Sequence, residues 1–367
     1  MSSLGQLLTM LLTMILNLYC PAVMLQGQQT VMVDPDPSYA IYQKYRYAYD
    51  TYGYLFLYHD TGGENGNTEA MMAGGGPTGV FAGLDGTGDS GGETNQTAGT
   101  EAGQNEGPGM PGTVPALAQL QDYDYLMKKF YSVHASTTAG RDVMQIESLM
   151  GTDLRLEQDS SVPQILIYHT HSQETYADYG PSNQDANIVS VGDYLTELLQ
   201  QKGWNVIHDK KSYDVQGGKL DRNKAYNYAL EGITGILQQY PTIQVVLDLH
   251  RDGVSEKTHL VSEVNGKQTA NIMFFQGMSR TPEGAIEYLP NPYLQENLAF
   301  SFQMQYLAAG KYPGFTRKIY LKGLRYNMHL RPRSSLIEVG AQTNTLQEAR
   351  NAMEPLAELL DMVLQGN

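Results

Sequence analysis

The chain has 367 residues, more than one compact domain usually needs, and its 39 acidic and 24 basic side chains give a formal charge of −15. That balance repels nucleic acid and anionic lipid headgroups, so no nucleic-acid partner is expected. A single cysteine, Cys20, excludes both an internal disulfide and a thiolate metal cluster, which leaves His, Asp and Glu to hold any metal.

The stretch from Leu4 to Leu25 carries no charge and contains LLTMLLTMIL, long enough for a secretion signal or, at full length, a membrane-spanning helix. Residues 1–30 are therefore expected to act as a signal or membrane anchor, although the first charge is Asp34 and not a basic residue. Tyr19 is bulky where a lipoprotein processing site needs a small side chain, which argues against lipid attachment at Cys20. Residues 31–61 are dense in tyrosine without a helical or alternating stripe and read as a stalk. Over residues 62–113 the composition shifts to Gly, Thr, Asn and Glu, so burial cannot offset the entropy of ordering. Such a disordered linker of roughly fifty residues spans on the order of 40 Å.

Regular patterning returns in a helical lead-in, residues 114–160. There Leu117, Leu120, Tyr123, Leu126 and Phe130 recur at helical spacing ahead of a polar turn at Ser136–Gly140. The domain proper, residues 161–367, opens with a buried-looking strand over Val162–Tyr168, a helix over Ile188–Lys202 closed by Gly203, and a strand over Trp204–Ile207. A helix over Arg222–Tyr240 and a strand over Ile243–Leu249 repeat the pattern. Asn265-Gly266 is the preferred pair for a tight turn and predicts an antiparallel hairpin, Thr258–Glu263 with Gln268–Gln276, joining the sheet. A helix over Pro292–Ala309, strands over Thr316–Leu321 and Ser335–Val339, and a helix over Thr345–Leu364 complete the chain. This alternation predicts an α/β domain with a mixed, mostly parallel sheet flanked by helices.

In such sheets ligands collect beyond the carboxyl ends of the strands. Three strands there end in chemistry-bearing residues: His169-Thr170-His171 with Glu174 just beyond, Asp248-Leu249-His250-Arg251-Asp252, and Glu338. His171, His250 and a carboxylate make a three-ligand set with an open position, the arrangement of catalytic zinc. Non-haem iron accepts the same ligands, but its oxygenases favour all-β folds, so zinc is preferred. The third ligand is left between Glu174 and His169. Glu338 is the candidate proton-transfer group, or else an ion-pair partner of Arg331 or Arg333; Arg251 or His329 is the candidate oxyanion donor. His59, His134 and His208 read as ordinary hydrogen-bonded histidines. The loops Lys210–Asp221 and Gly277–Tyr293 are expected to border the groove. No Gly-x-Ser-x-Gly elbow, phosphate-binding Gly loop or His-Glu-x-x-His helix is present.

The segments ILIYHTHSQETY, NIVSVGDYLTELLQQKGWNVIHD, VVLDLHRDG and YNMHLRPRSSLIEVGAQTNTLQEA together resemble the stage II sporulation protein P family, from about Tyr123 to the C-terminus. The resemblance implies the fold of zinc-dependent N-acetylmuramoyl-L-alanine amidases, and cleavage of the amide between the glycan lactyl group and the peptide stem, with endopeptidase activity on cross-links besides. It also implies peptidoglycan as substrate, a membrane-anchored or secreted location on the mother-cell side of the septum, and sporulation proteins D and M as partners in engulfment. Carried over by position, His171 and His250 match the metal histidines and Glu338 the catalytic glutamate. In the wider amidase group the ligand glutamate lies at the start of the next helix, where this chain has Asn187 and Ile188. Two alternatives remain open at this point: a non-catalytic wall-binding scaffold, and another metal-assisted hydrolase such as a deacetylase.

Overall fold

The computed structural model describes residues 114–366, together with the backbone of a short antiparallel pair, Leu55–Leu57 with Met71–Ala73. The expected anchor, and nearly all of the stalk and linker, lie outside the described residues. Among the described residues no helix is long and apolar enough to cross a membrane.

The lead-in does not form the single helix its spacing predicts. It breaks into α1 (Leu117–Leu120) and α2 (Tyr123–Phe130), because Asp122 turns its carboxylate onto the amides of Asp124 and Tyr125 and so caps a new start. The chain then enters β1 (Tyr131–Val133), an edge strand of the main sheet inside what the sequence reads as a helical lead-in, and α3 (Ile146–Gly151).

From there the alternation holds: β2 (Ile165–Tyr168), α4 (Ile188–Gln201), β3 (Val206–His208), α5 (Arg222–Gln239) and β4 (Val245–Asp252). Next come the hairpin β5 (Val261–Val264) and β6 (Lys267–Ala270), then β7 (Ile272–Gly277), α6 (Leu294–Lys311), β8 (Ile319–Lys322), β9 (Ser334–Ala341) and α7 (Leu346–Gln365). Seven strands form one sheet in the order β1-β8-β7-β9-β4-β2-β3. Every neighbouring pair is parallel except β7 with β9, so the sheet is two parallel blocks joined head to tail. Contrary to expectation the hairpin stays a separate two-stranded sheet, and only β7, entering after Asn271, joins the main one.

Alternation along the strands decides which side each residue serves. Ile165 and Ile167 pack with α4, α6 and α7 in the larger core, while Leu166, Tyr168 and Val246 pack on Ala229, Ile233 and Leu237 of α5. Each such side chain, fully buried, contributes roughly 1.5–3 kcal/mol against exposure. One close approach lacks room for any side chain. On α4, a Cβ at Gly192 would sit 2.7 Å from His208 Nε2 and 2.8 Å from His169 Nε2. Gly192→Ala should therefore lower stability by about 2 kcal/mol, read as a fall in the urea midpoint without a change of slope; an unchanged midpoint would refute this packing.

Candidate metal centre

β2, β4 and β9 run parallel and end at the same edge of the sheet. In register, Tyr168 lies opposite Asp248 and His250 opposite Glu338, so Asp248, His250 and Glu338 share one face. Beyond β2 the chain turns back on itself: Thr175 bridges to Asn187, and the Ile188 amide donates to the Glu174 carbonyl at 3.0 Å. The turn brings Glu174 beside the start of α4, while the Asn187 side chain itself caps that helix through Ser190. Glu174 thus lies in space beside Asn187 and Ile188.

Glu174 is buried between two imidazoles. Its Oε1 lies 3.6 Å from His171 Nδ1 and its Oε2 3.6 Å from His250 Nδ1. The ligand atoms of His171, Glu174 and His250 all lie within 4.8 Å of one another, and the two rings cross at 83° with centroids 5.0 Å apart. These separations suit donors gathered at about 2 Å around one ion. The backbone amide of Arg251 donates to Glu174 Oε2 at 2.9 Å and fixes the carboxylate. Arg222 approaches its other oxygen at 3.9 Å.

Outside this cluster, Asp248 orients His250. Its Oδ1 lies 2.9 Å from His250 Nε2, and the same carboxylate accepts from the amide and hydroxyl of Thr170 at 2.8 and 2.6 Å. With Nε2 facing Asp248, Nδ1 is the atom His250 presents to an ion, and a carboxylate behind a ligand imidazole is a recurrent support in metal sites. Burial alone would push the His250 pKa down, but Asp248 and Glu174 outweigh it and hold it well above the usual value. Burial works against the Glu174 charge too, yet His171 and His250 keep its pKa well below normal. The pocket's negative charge calls for a cation, and among the described residues His171 Nε2 and Glu338 Oε2 are buried without hydrogen-bond partners. The residues fit a zinc-sized ion.

The remaining candidates fall elsewhere. His169 is turned away from the cluster, with Nδ1 donating to the Leu249 carbonyl at 2.9 Å and Nε2 lying 2.8 Å from His208 Nε2. Burial and then His208 lower its pKa to about 3. The Arg251 guanidinium, expected to steady an oxyanion, donates instead to the carbonyls of Thr175 and Asp252. His329 is fully buried, with burial and then Arg325 holding its pKa well below normal. Arg331 and Arg333 bond to the carbonyls of Ile243 and Leu154, so neither pairs with Glu338. Of the two loops, Lys210–Asp221 does abut the cluster, through Asp214 bonded to Ser172 and Gln173. Gly277–Tyr293 does not: β7 runs against β9, so its end lies at the opposite edge, where Gln276 bonds the Ser334 carbonyl. Asp248 was passed over in the sequence, although its place two residues before His250 puts it on the same face.

Comparison with known proteins adds the family. The profile described as Stage II sporulation protein P (SpoIIP) matches residues 93–361. The chain belongs to this family. No curated protein matches it. Among solved structures, the chain is similar to the CwlD amidase from Clostridioides difficile, solved in complex with the GerS lipoprotein. That match has 16% identity over 55% of this chain and 97% of that one, with a TM-score of 0.37. An N-acetylmuramoyl-L-alanine amidase from Clostridium difficile 630 matches at 12% identity over 55% and 94%, with a TM-score of 0.33. The apo amidase Ami1 from Mycobacterium abscessus matches at 13% identity over 55% and 97%, with a TM-score of 0.30.

Within this SpoIIP-family chain, Glu338 is the unusual titrating group. Burial, and then the Asp252 charge, raise its pKa to about 8 in the metal-free protein. Between pH 4.5 and 8 the unfolded chain releases this proton and the folded one keeps it, so ionisation favours unfolding increasingly as pH rises. Glu338→Gln should therefore stabilise the metal-free protein by roughly 3 kcal/mol at pH 7 and scarcely at all at pH 4.5, measured by urea titration. Equal effects at both pH values would contradict the assignment.

Proposed function

We propose that this protein is a zinc-dependent peptidoglycan hydrolase, an N-acetylmuramoyl-L-alanine amidase with endopeptidase capacity, acting on septal wall during endospore formation. The observation that carries this reading is the meeting of His171, Glu174 and His250, from two strand ends and a loop, with the partnerless Glu338 carboxyl beside them. A zinc ion bound by these three side chains would supply Lewis acidity and make a water more acidic, near neutrality.

The chain's own part is to place proton-transfer groups around the scissile amide. Glu338 Oε2 carries no internal hydrogen bond, so it is available to take a proton from attacking water and return it to the departing amine nitrogen. Its poorly solvated carboxyl holds a proton near neutral pH better than an ordinary glutamate does, which suits the second of those steps. Asp248 and the Arg251 amide keep His250 and Glu174 in place while the charge changes. The family and the apolar N-terminus support a location outside the cytoplasm with a membrane anchor, and sporulation proteins D and M as partners.

Digestion of purified peptidoglycan tests the reading. The full chain should release stem peptides in an EDTA-sensitive manner, with lactyl groups freed on the glycan. Glu338→Gln should bind zinc normally and lose at least about a hundredfold in turnover. Release of acetate in place of peptide, or full activity in Glu338→Gln, would contradict it.

A further inference from the structure

Arg317 lies on the face of the sheet that carries Glu338 and His250, and the chemistry above does not use it. Its placement follows from register: Glu338 is opposite both His250 and Met273, and Ile272 bridges Thr316, which sets Arg317 beside Met273. β7 and the strand it pairs with do not stay in step. From Ile272 to Phe275 is three residues, while from their partners Thr316 to Tyr320 is four. The extra residue, at Arg317-Lys318, is a bulge just before β8, and bulges beside active sites re-aim side chains.

The guanidinium reaches towards the metal edge, where Nη1 lies 2.6 Å from Asp252 Oδ2, two residues past His250. Its side chain remains 33% exposed, and among the described residues Asp252 is its one ion-pair partner. Among the described residues the rest of its donor fork makes no bond. Arg317 also exerts an attractive charge on Glu338.

We propose that Arg317 is a specificity-determining residue that receives a carboxylate of the peptide stem, an inference that rests on the amidase reading and states what that site selects. The guanidinium, not the backbone position, meets the ligand, and it lies against Asp252, two residues past His250, so the carboxylate it receives belongs to the part of the stem next to the scissile amide. A planar fork with open donors suits a carboxylate better than a lysine would. Asp252 holds that fork in place before substrate arrives.

Binding of soluble muropeptide fragments to full-length Glu338→Gln protein, by calorimetry, tests this independently of turnover. Fragments with a free stem carboxylate should bind about tenfold tighter than the same fragments with it amidated. Adding Arg317→Gln should reduce that ratio to near one, and Arg317→Lys, which keeps the charge for Asp252, should restore only part of it. A ratio near one before Arg317 is changed, a ratio unaffected by Arg317→Gln, or no binding of either fragment would overturn the proposal. A wild-type protein that releases no stem peptides, while the ratio behaves as expected, would count against the amidase reading and leave the carboxylate site standing.

Discussion

The Glu174 carboxylate is buried between His171 and His250, and the rest of the site is arranged around the cost of that burial. An ionised carboxylate out of water needs hydrogen bonds and positive charge in compensation. The Arg251 amide supplies the first, and the two imidazoles, with Arg222 at longer range, supply the second. Asp248 then ties His250 back to Thr170, so charge passes outward from the cluster into the strand ends. A divalent ion would complete this arrangement more fully than a proton on His250 can, because it would meet both imidazoles and the carboxylate together.

Sheet topology explains why the site lies where it does. Four parallel strands bring β2, β4 and β9 to a common edge, and the reversal at β7 turns the neighbouring block the other way. The edge beside Glu338 is therefore lined by the beginnings of β7 and β8, not by their ends. Register slips flank Glu338 on both sides. β9 shifts between Glu338 and Ala341, where Gly340 adopts a φ of 60° and a Cβ would meet Asn344 Oδ1 at 2.6 Å. The strand pairing with β7 shifts at Arg317-Lys318. Such irregularities beside a site re-aim the side chains around it.

Much of this was legible in the sequence because apolar runs such as ILIY and VVLDL mark buried parallel strands, and the polar residues that end them fall at one edge. Helix starts were readable where a side chain caps them, as with Asn187 and Thr345. What escaped depends on contacts remote in sequence. Nothing local shows that Tyr131–Val133 pairs with β8, or that the Asn265-Gly266 hairpin stands apart from the main sheet. Spacing allowed His169 and Glu174 equally as partners of His171. The structure separates them, because Gly192 opens a slot in α4 that His169 fills together with His208. Arg317 was silent for the same reason: its role depends on a bulge, and the bulge on register.

X-ray absorption at the zinc edge on the full-length protein is the most direct test of the central claim. One ion per chain, bound by nitrogen and oxygen ligands at about 2.0–2.2 Å, is the expected result. His171→Ala, Glu174→Ala and His250→Ala should each abolish that signal, and His169→Ala should leave its ligand shell unchanged. Absence of a stoichiometric ion, or a ligand shell that changes with His169 and not with Glu174, would contradict the account.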